Sequence, residues 1–152
     1  MLQVTFERDL WQPAVATGEE TNKERDVIDD GDPVKGIHDL VLFTESIPEF
    51  SEEPIPAAKL IHGKPIQRTW HHFTSDDDKL FVGVWEAEPG CWKVEYTENE
   101  YCRILSGRSL LRDRDGNEHP LKAGDDFVIP RGFSGEWEVL TTTKKIYVIY
   151  QP

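Results

Sequence analysis

From Lys79 onward the apolar positions of this chain come in short bursts separated by Gly, Pro, Asn and Asp. Lys79–Glu88 (KLFVGVWEAE) is rich in Val, Phe and Trp and stops at Pro89-Gly90. Cys91–Tyr96 (CWKVEY) alternates, and a tight link at Thr97–Asn99 leads into Glu100–Leu105 (EYCRIL), ended by Ser106-Gly107. Arg108–Arg114 (RSLLRDR) runs to Asp115-Gly116-Asn117, a strong hairpin signal because these residues accept the positive φ that a tight reversal needs. Glu118–Leu121 stops at Ala123-Gly124-Asp125, and Asp126–Ile129 stops at Pro130-Arg131-Gly132. Gly135–Thr141 (GEWEVLT) and Lys144–Tyr150 (KKIYVIY) close the series. Alternation of this kind gives each segment one apolar face, and strands recurring every 8–12 residues predict an antiparallel sandwich or barrel. Closing the sheet also removes the edges on which other chains would add.

The first third is patterned differently. Residues 12–36 are polar and acidic, with too little apolar surface to form a layer of their own. A weak helix signal covers Glu19–Asp29, and His38–Glu45 (HDLVLFTE) reads as a strand. IPEFSEEPIP then places three prolines within nine residues, an irregular extended connector. Phe6, Trp11, Leu40, Leu42 and Phe43 are expected to pack on the strand-rich part or on a second subunit. The division is therefore an acidic extension over residues 1–58, mostly irregular with one or two added strands, followed by a barrel over residues 59–152.

Charge sharpens this division. The 152 residues carry 29 Asp+Glu against 17 Lys+Arg, a net charge of −12. Residues 1–58 hold 14 acids and 4 bases, and residues 59–152 hold 15 and 13. The excess thus belongs to the extension, and the barrel is close to neutral. Clustered Lys/Arg is what polyanions and anionic membranes require, so neither nucleic acid nor a membrane surface is an expected partner. No apolar run approaches the ~20 residues that cross a bilayer, and the acidic start does not resemble a secretory signal; a cytoplasmic location is expected. An apolar fraction of 38 % supports a real core. Cys91 and Cys102, placed on neighbouring strands, read as buried thiols rather than as a disulfide framework or a zinc motif.

Two spaced patterns within the strand series carry a resemblance. Gly124, Pro130 and Gly132 follow the second cupin motif, G-x5-P-x-G, and Glu100-x6-Gly107, preceded by Pro89-Gly90, follows the end of the first. Over about residues 61–150 the chain resembles the small single-domain cupins of the ureidoglycine-aminohydrolase and ethanolamine-utilisation type. The resemblance implies an all-β antiparallel jelly-roll barrel with one open mouth, lined by inward side chains. It also implies, for many members, a divalent metal held by two His and a Glu of the first motif and a His of the second.

This sequence departs from that ligand set. The first-motif His positions fall on Val94 and Tyr96, or on Tyr96 and Glu98, according to the landmark counted from. The second-motif His position falls on Gly135, so only Glu100 of the four remains. No cofactor is assigned; a divalent metal would have to rest on Glu100 with Glu98 or His72. The Tyr96-x-Glu98-x-Glu100 cluster offers different chemistry, because carboxylates sharing a half-buried pocket move apart in pKa and serve as acid and base. Glu98 or Glu100 is the candidate base and Tyr96 the candidate proton donor, the alternative being a solvated turn at the rim. Trp92 and Trp137 are candidate walls for a planar ligand, with Tyr147 a further ring. Lys93, Arg103 and Lys145 lie on barrel strands; any that points inward would pair with a glutamate or clamp a substrate carboxylate. No G-x-S-x-G, P-loop or G-x-G-x-x-G occurs.

The expected function is binding of a small polar amino, ureido or carboxylate metabolite, with lyase, isomerase or hydrolase chemistry if the protein is an enzyme. The alternatives are a non-catalytic sensing module and an assembly role, as a homodimer formed through the extension.

Overall fold

The computed structural model describes residue 31, residues 33–45 and residues 47–152. The helix signal at Glu19–Asp29 and the packing of Phe6 and Trp11 lie outside these residues. Two compact units divide the chain, one built on residues 43–152 and the other on residues 3–42.

In the second of these, Ile37–Asp39 forms a single 3-10 turn. The strand expected over His38–Glu45 is not formed. The Asp39 side chain accepts from the Gly36 N–H at 2.6 Å while the Asp39 N–H donates to the Gly36 carbonyl at 3.0 Å. This local closure satisfies the backbone where an apolar burst without a partner strand cannot. Leu40 and Leu42 are exposed.

The larger unit is a curled antiparallel sheet. Its strands are β1 (Phe50–Pro54), β2 (Leu60–Gly63), β3 (Ile66–Thr74), β4 (Leu80–Ala87), β5 (Gly90–Glu95), β6 (Asn99–Asp113), β7 (Glu118–Lys122), β8 (Asp126–Ile129) and β9 (Ser134–Tyr150). The four segments read as separate strands at residues 100–105, 108–114, 135–141 and 144–150 are in fact two long strands, β6 and β9, paired along most of their length. The first half of β6 carries β8 and the second half carries β7. On its other edge β9 carries β5 beside its first half and β4 beside its second. One ladder therefore runs through both walls of the barrel. β3 and β1 extend the wall beyond β4, and β2 extends the other wall beyond β5. β1 forms in the stretch expected to be an irregular connector, because it finds a partner in β3, and Glu52, Glu53 and Pro54 make it a poor template for further pairing.

Gly107 explains why β6 bends instead of ending. Its φ is +86°, and three register shifts between Ile104 and Ser109 surround it. A Cβ there would meet the Thr142 carbonyl oxygen, and the Thr143 Cα at 2.6 Å. The glycine is thus a corner at which two strands pass closely, not a turn.

β3 escaped the sequence reading because its inward positions are polar. Gln67 and Thr69 are buried, while Trp70 stands half-buried on the opposite face. The core between the walls contains Trp85, Trp92 and Trp137, with Ile104, Ile129, Leu121, Val94 and Val139. Trp85 meets Trp137 edge-on, with centroids 5.9 Å apart, and Trp92 at 6.2 Å. Cys91 and Cys102 are buried free thiols. They are not on neighbouring strands, however: β9 lies between β5 and β6.

Candidate functional site

Alternation along β9 sends Trp137, Lys145, Tyr147 and Ile149 inward, and alternation along β6 sends Glu100, Cys102 and Ile104 to meet them. Lys145 is thereby placed inside the barrel with a fully buried side chain. Its ammonium donates to Glu100 Oε1 at 2.8 Å and to Cys102 Sγ at 3.3 Å. The same nitrogen lies 4.8 Å from the Trp137 ring centroid and 5.3 Å from that of Trp85. An aromatic face and a carboxylate answer a charge that burial alone would discourage. Burial works against the Lys145 charge, but the Glu100 carboxylate and the hydrogen bonds to Glu100 and Cys102 outweigh it, and its pKa is raised. Burial likewise pushes the Cys102 thiol up to about 12, so the sulfur is protonated at neutral pH.

Tyr96 and Glu100 are both 2 % exposed, and Glu98 is 4 % exposed. The solvated-turn alternative therefore does not describe these residues. Burial, reinforced by Glu100, raises the Tyr96 pKa well above that of an ordinary phenol, so its hydroxyl keeps its proton. Glu98 Oε2 accepts from the Thr97 N–H at 2.8 Å and from its hydroxyl at 2.7 Å, which fixes the turn between β5 and β6. Tyr147 lies across Gly83, where a Cβ would strike the phenol ring. The Tyr147 hydroxyl and His71 Nδ1 are 3.1 Å apart, and Thr74 Oγ1 is 2.7 Å from His71 Nε2. Burial, with His72 adding to it, lowers the His71 pKa to about 4, so the ring is neutral.

Tyr96 Oη, Glu100 Oε2, Trp92 Nε1 and Trp137 Nε1 are buried in this interior without a hydrogen bond of ordinary length among the described residues, although Glu100 lies near enough to Tyr96 to help hold the phenol proton. Such atoms are costly to bury alone and mark a place where a water or ligand is received. Three can donate and one is a carboxylate oxygen. Phe81 and Phe133 are the partly exposed rings beside this cluster, 6.3 Å from His71 and 6.2 Å from Tyr96.

The structure therefore gathers Tyr96, Glu100, Trp92, Trp137 and Tyr147 in one interior. It places Lys93 and Arg103 elsewhere. Lys93 is exposed and lines an outer groove of about 460 Å³, and Arg103 is exposed 3.9 Å from Asp126. Lys145, left open in the sequence, is the inward cation. His71, Cys102 and Trp85 were not singled out for the site; their signal was an inward register, which only the pairing of β3, β4 and β6 reveals.

The interior does not fit the divalent ion of metal-binding cupins. The ammonium of Lys145 already holds Glu100 Oε1, and the other ligand positions carry Val94, Tyr96, Glu98 and Gly135. His72 stacks on Phe43, with ring centroids 3.9 Å apart. Among the described residues, the three ligand-type side chains that approach one another within 4.8 Å are His62, Cys91 and Glu138.

Comparison with known proteins agrees with this architecture. Residues 74–147 match the model of the EutQ-like cupin domain. No curated protein sequence matches the chain. Among solved structures, the EutQ protein of Clostridium difficile is similar at 22 % identity, over 57 % of this chain and 69 % of that one, with a TM-score of 0.52. A protein of unknown function from Pseudomonas syringae pv. tomato aligns at 21 % identity over 69 % of this chain and 45 % of its own, with a TM-score of 0.62. A predicted oxalate decarboxylase of Thermotoga maritima aligns at 24 % identity over 74 % and 99 %, with a TM-score of 0.54. At these identities the likeness is one of fold.

Proposed function

Since residues 74–147 match the EutQ-like cupin domain, we propose that the barrel interior binds a small organic acid and moves a proton on it. The observation that carries this reading is the set of unpartnered buried atoms around the Lys145–Glu100 pair. Two indole N–H groups, a phenol and an ammonium share the buried interior with the Glu100 carboxylate. That excess of donors suits a ligand rich in acceptor oxygens, and a carboxylate suits it better than an amine. The three tryptophans exclude water and strengthen each of these contacts.

In this reading Lys145 and the indole N–H groups hold the ligand's carboxylate. Glu100 Oε2 takes a proton from the ligand as general base. Tyr96, kept protonated by its surroundings, donates one as general acid. This is the chemistry of an isomerase or lyase step. Glu98 shapes the turn that carries Tyr96 and Glu100 rather than touching the ligand.

Titrating a panel of small mono- and dicarboxylates while following tryptophan fluorescence tests the reading. Saturable binding is expected, weakened about tenfold by Tyr96→Phe, in line with one lost hydrogen bond in a dry site. Glu100→Gln is expected to keep binding and lose turnover. A panel without any saturable response, or one indifferent to Tyr96→Phe, would overturn it.

A second reading concerns assembly. Phe73, Val82, Val148, Tyr101 and Val128 are successive partners across five strands on the outward face, and Val128 is 59 % exposed. An apolar row of this extent favours a homodimer through this face rather than through residues 39–45. Sedimentation velocity of the full chain and of Val128→Asp decides it.

A further inference from the structure

We propose that His62, Cys91 and Glu138 form a binding site for a borderline divalent transition metal of the zinc class, on the outer face of the barrel. The three residues belong to three consecutive strands, β2, β5 and β9, at matching register: His62 pairs with Cys91, and Cys91 pairs with Glu138. Their ligand atoms all lie within 4.8 Å of one another. His62 Nε2 is 3.5 Å from Glu138 Oε1, a separation that one small ion can bridge.

The surrounding structure fixes each donor. β2 carries a register shift between Leu60 and His62, which turns the imidazole toward Cys91. Behind it β2 cannot slide, because Gly63 and Gly90 pack backbone to backbone. A Cβ on Gly63 would stand 2.9 Å from the Gly90 Cα, and one on Gly90 would stand 2.7 Å from the Pro65 ring. Cys91 faces away from the core indoles of Trp92 and Trp137 and is still buried, so its sulfur forms the floor of the site. The two oxygens of Glu138 are divided: Oε2 lies 3.5 Å from Arg112 Nη2, while Oε1 turns to His62. Arg112 is itself held by Glu118 and by Glu136, the latter at 2.7 Å. It acts as a positioning residue that orients a ligating carboxylate, the usual task of groups behind a metal ligand.

A thiolate, an imidazole and a carboxylate match the preferences of zinc-class ions and exclude magnesium and calcium, which prefer all-oxygen shells. On binding, the ion replaces the thiol proton of Cys91, and that proton leaves to solvent. Three protein ligands leave a fourth position directed outward past the exposed His62. The site is separate from the Lys145 interior and stands or falls independently of the function proposed for it.

Cobalt(II) titration of the purified full chain, freed of metal beforehand, is the test. One equivalent is expected to bind with a sulfur-to-cobalt charge-transfer band, and zinc is expected to displace it. Cys91→Ser should abolish the band, whereas Cys102→Ser should leave it unchanged. His62→Ala and Glu138→Gln, at partly or fully exposed positions that tolerate change, should each weaken binding at least tenfold. The proposal is overturned if the wild-type chain gives no thiolate band, if the band follows Cys102, or if binding is indifferent to His62→Ala.

Discussion

Lys145 shows how a single residue can be legible while its direction stays open. Its sequence context, KKIYVIY, is a strand in which one of two lysines must point inward, and nothing local says which. In the structure Lys144 lies over the outer Trp70 ring at 4.2 Å, while Lys145 is the buried partner of Glu100. A buried ion pair adds little net stability, but removing one member strands the other charge. Lys145→Ala is therefore expected to cost about 3–5 kcal/mol in chemical denaturation. The double variant Lys145→Met with Glu100→Leu should recover much of that loss, since it leaves no charge behind. Equal losses in the single and double variants would show that packing, not charge, sets the cost. Tyr96, Glu98 and Glu100 were legible as a cluster because their spacing is set along one short piece of chain. Their burial was not, because whether a turn is solvated depends on what folds over it.

At the level of elements, the turns were read more reliably than the strands. Gly116, Gly124 and Gly132 all have positive φ at the predicted reversals, where only the local chain matters. Ser106-Gly107 carries the same signal and means something else, because a distant strand passes against it. Gly107→Ala and Gly124→Ala separate the two cases. Both force alanine to a positive φ, which costs about 1 kcal/mol. At Gly124 nothing lies within 4 Å of the added methyl, whereas at Gly107 it meets Thr142 and Thr143. Thermal unfolding should show a small loss for Gly124→Ala and a clearly larger one for Gly107→Ala; similar losses would remove the corner role given to Gly107. β3 was missed for the complementary reason, since its inward face is polar and the usual alternation reads inverted.

For the whole molecule, the division of charge matters more than its sum. The net charge of −12 is carried mainly by the first 58 residues, and the barrel is near neutral. Two copies of such a chain repel at long range while an apolar row attracts at contact. Added salt screens the first and spares the second, so dimerisation through Val128 and its neighbours should strengthen as ionic strength rises. Sedimentation should show Val128→Asp shifted to the monomer under the same conditions. A mass that is independent of this substitution would remove the outward row from the interface.

The sequence by itself determined the β character of residues 79–150, the reversals at Gly116, Gly124 and Gly132, the two motifs that resemble those of cupins and the absence of histidine where many cupins hold a metal. All of these depend on residue identity at short spacing, where backbone conformation and chemical type act locally. Only the tertiary structure decided that four segments are two long strands and that Lys145 faces Glu100. It alone brings His62, Cys91 and Glu138 together from positions as far as 76 residues apart in the chain. Those outcomes depend on strand register, and a shift of one residue would exchange the inside of the barrel for the outside. The packing of both walls at once fixes that register, and no single stretch of sequence carries it.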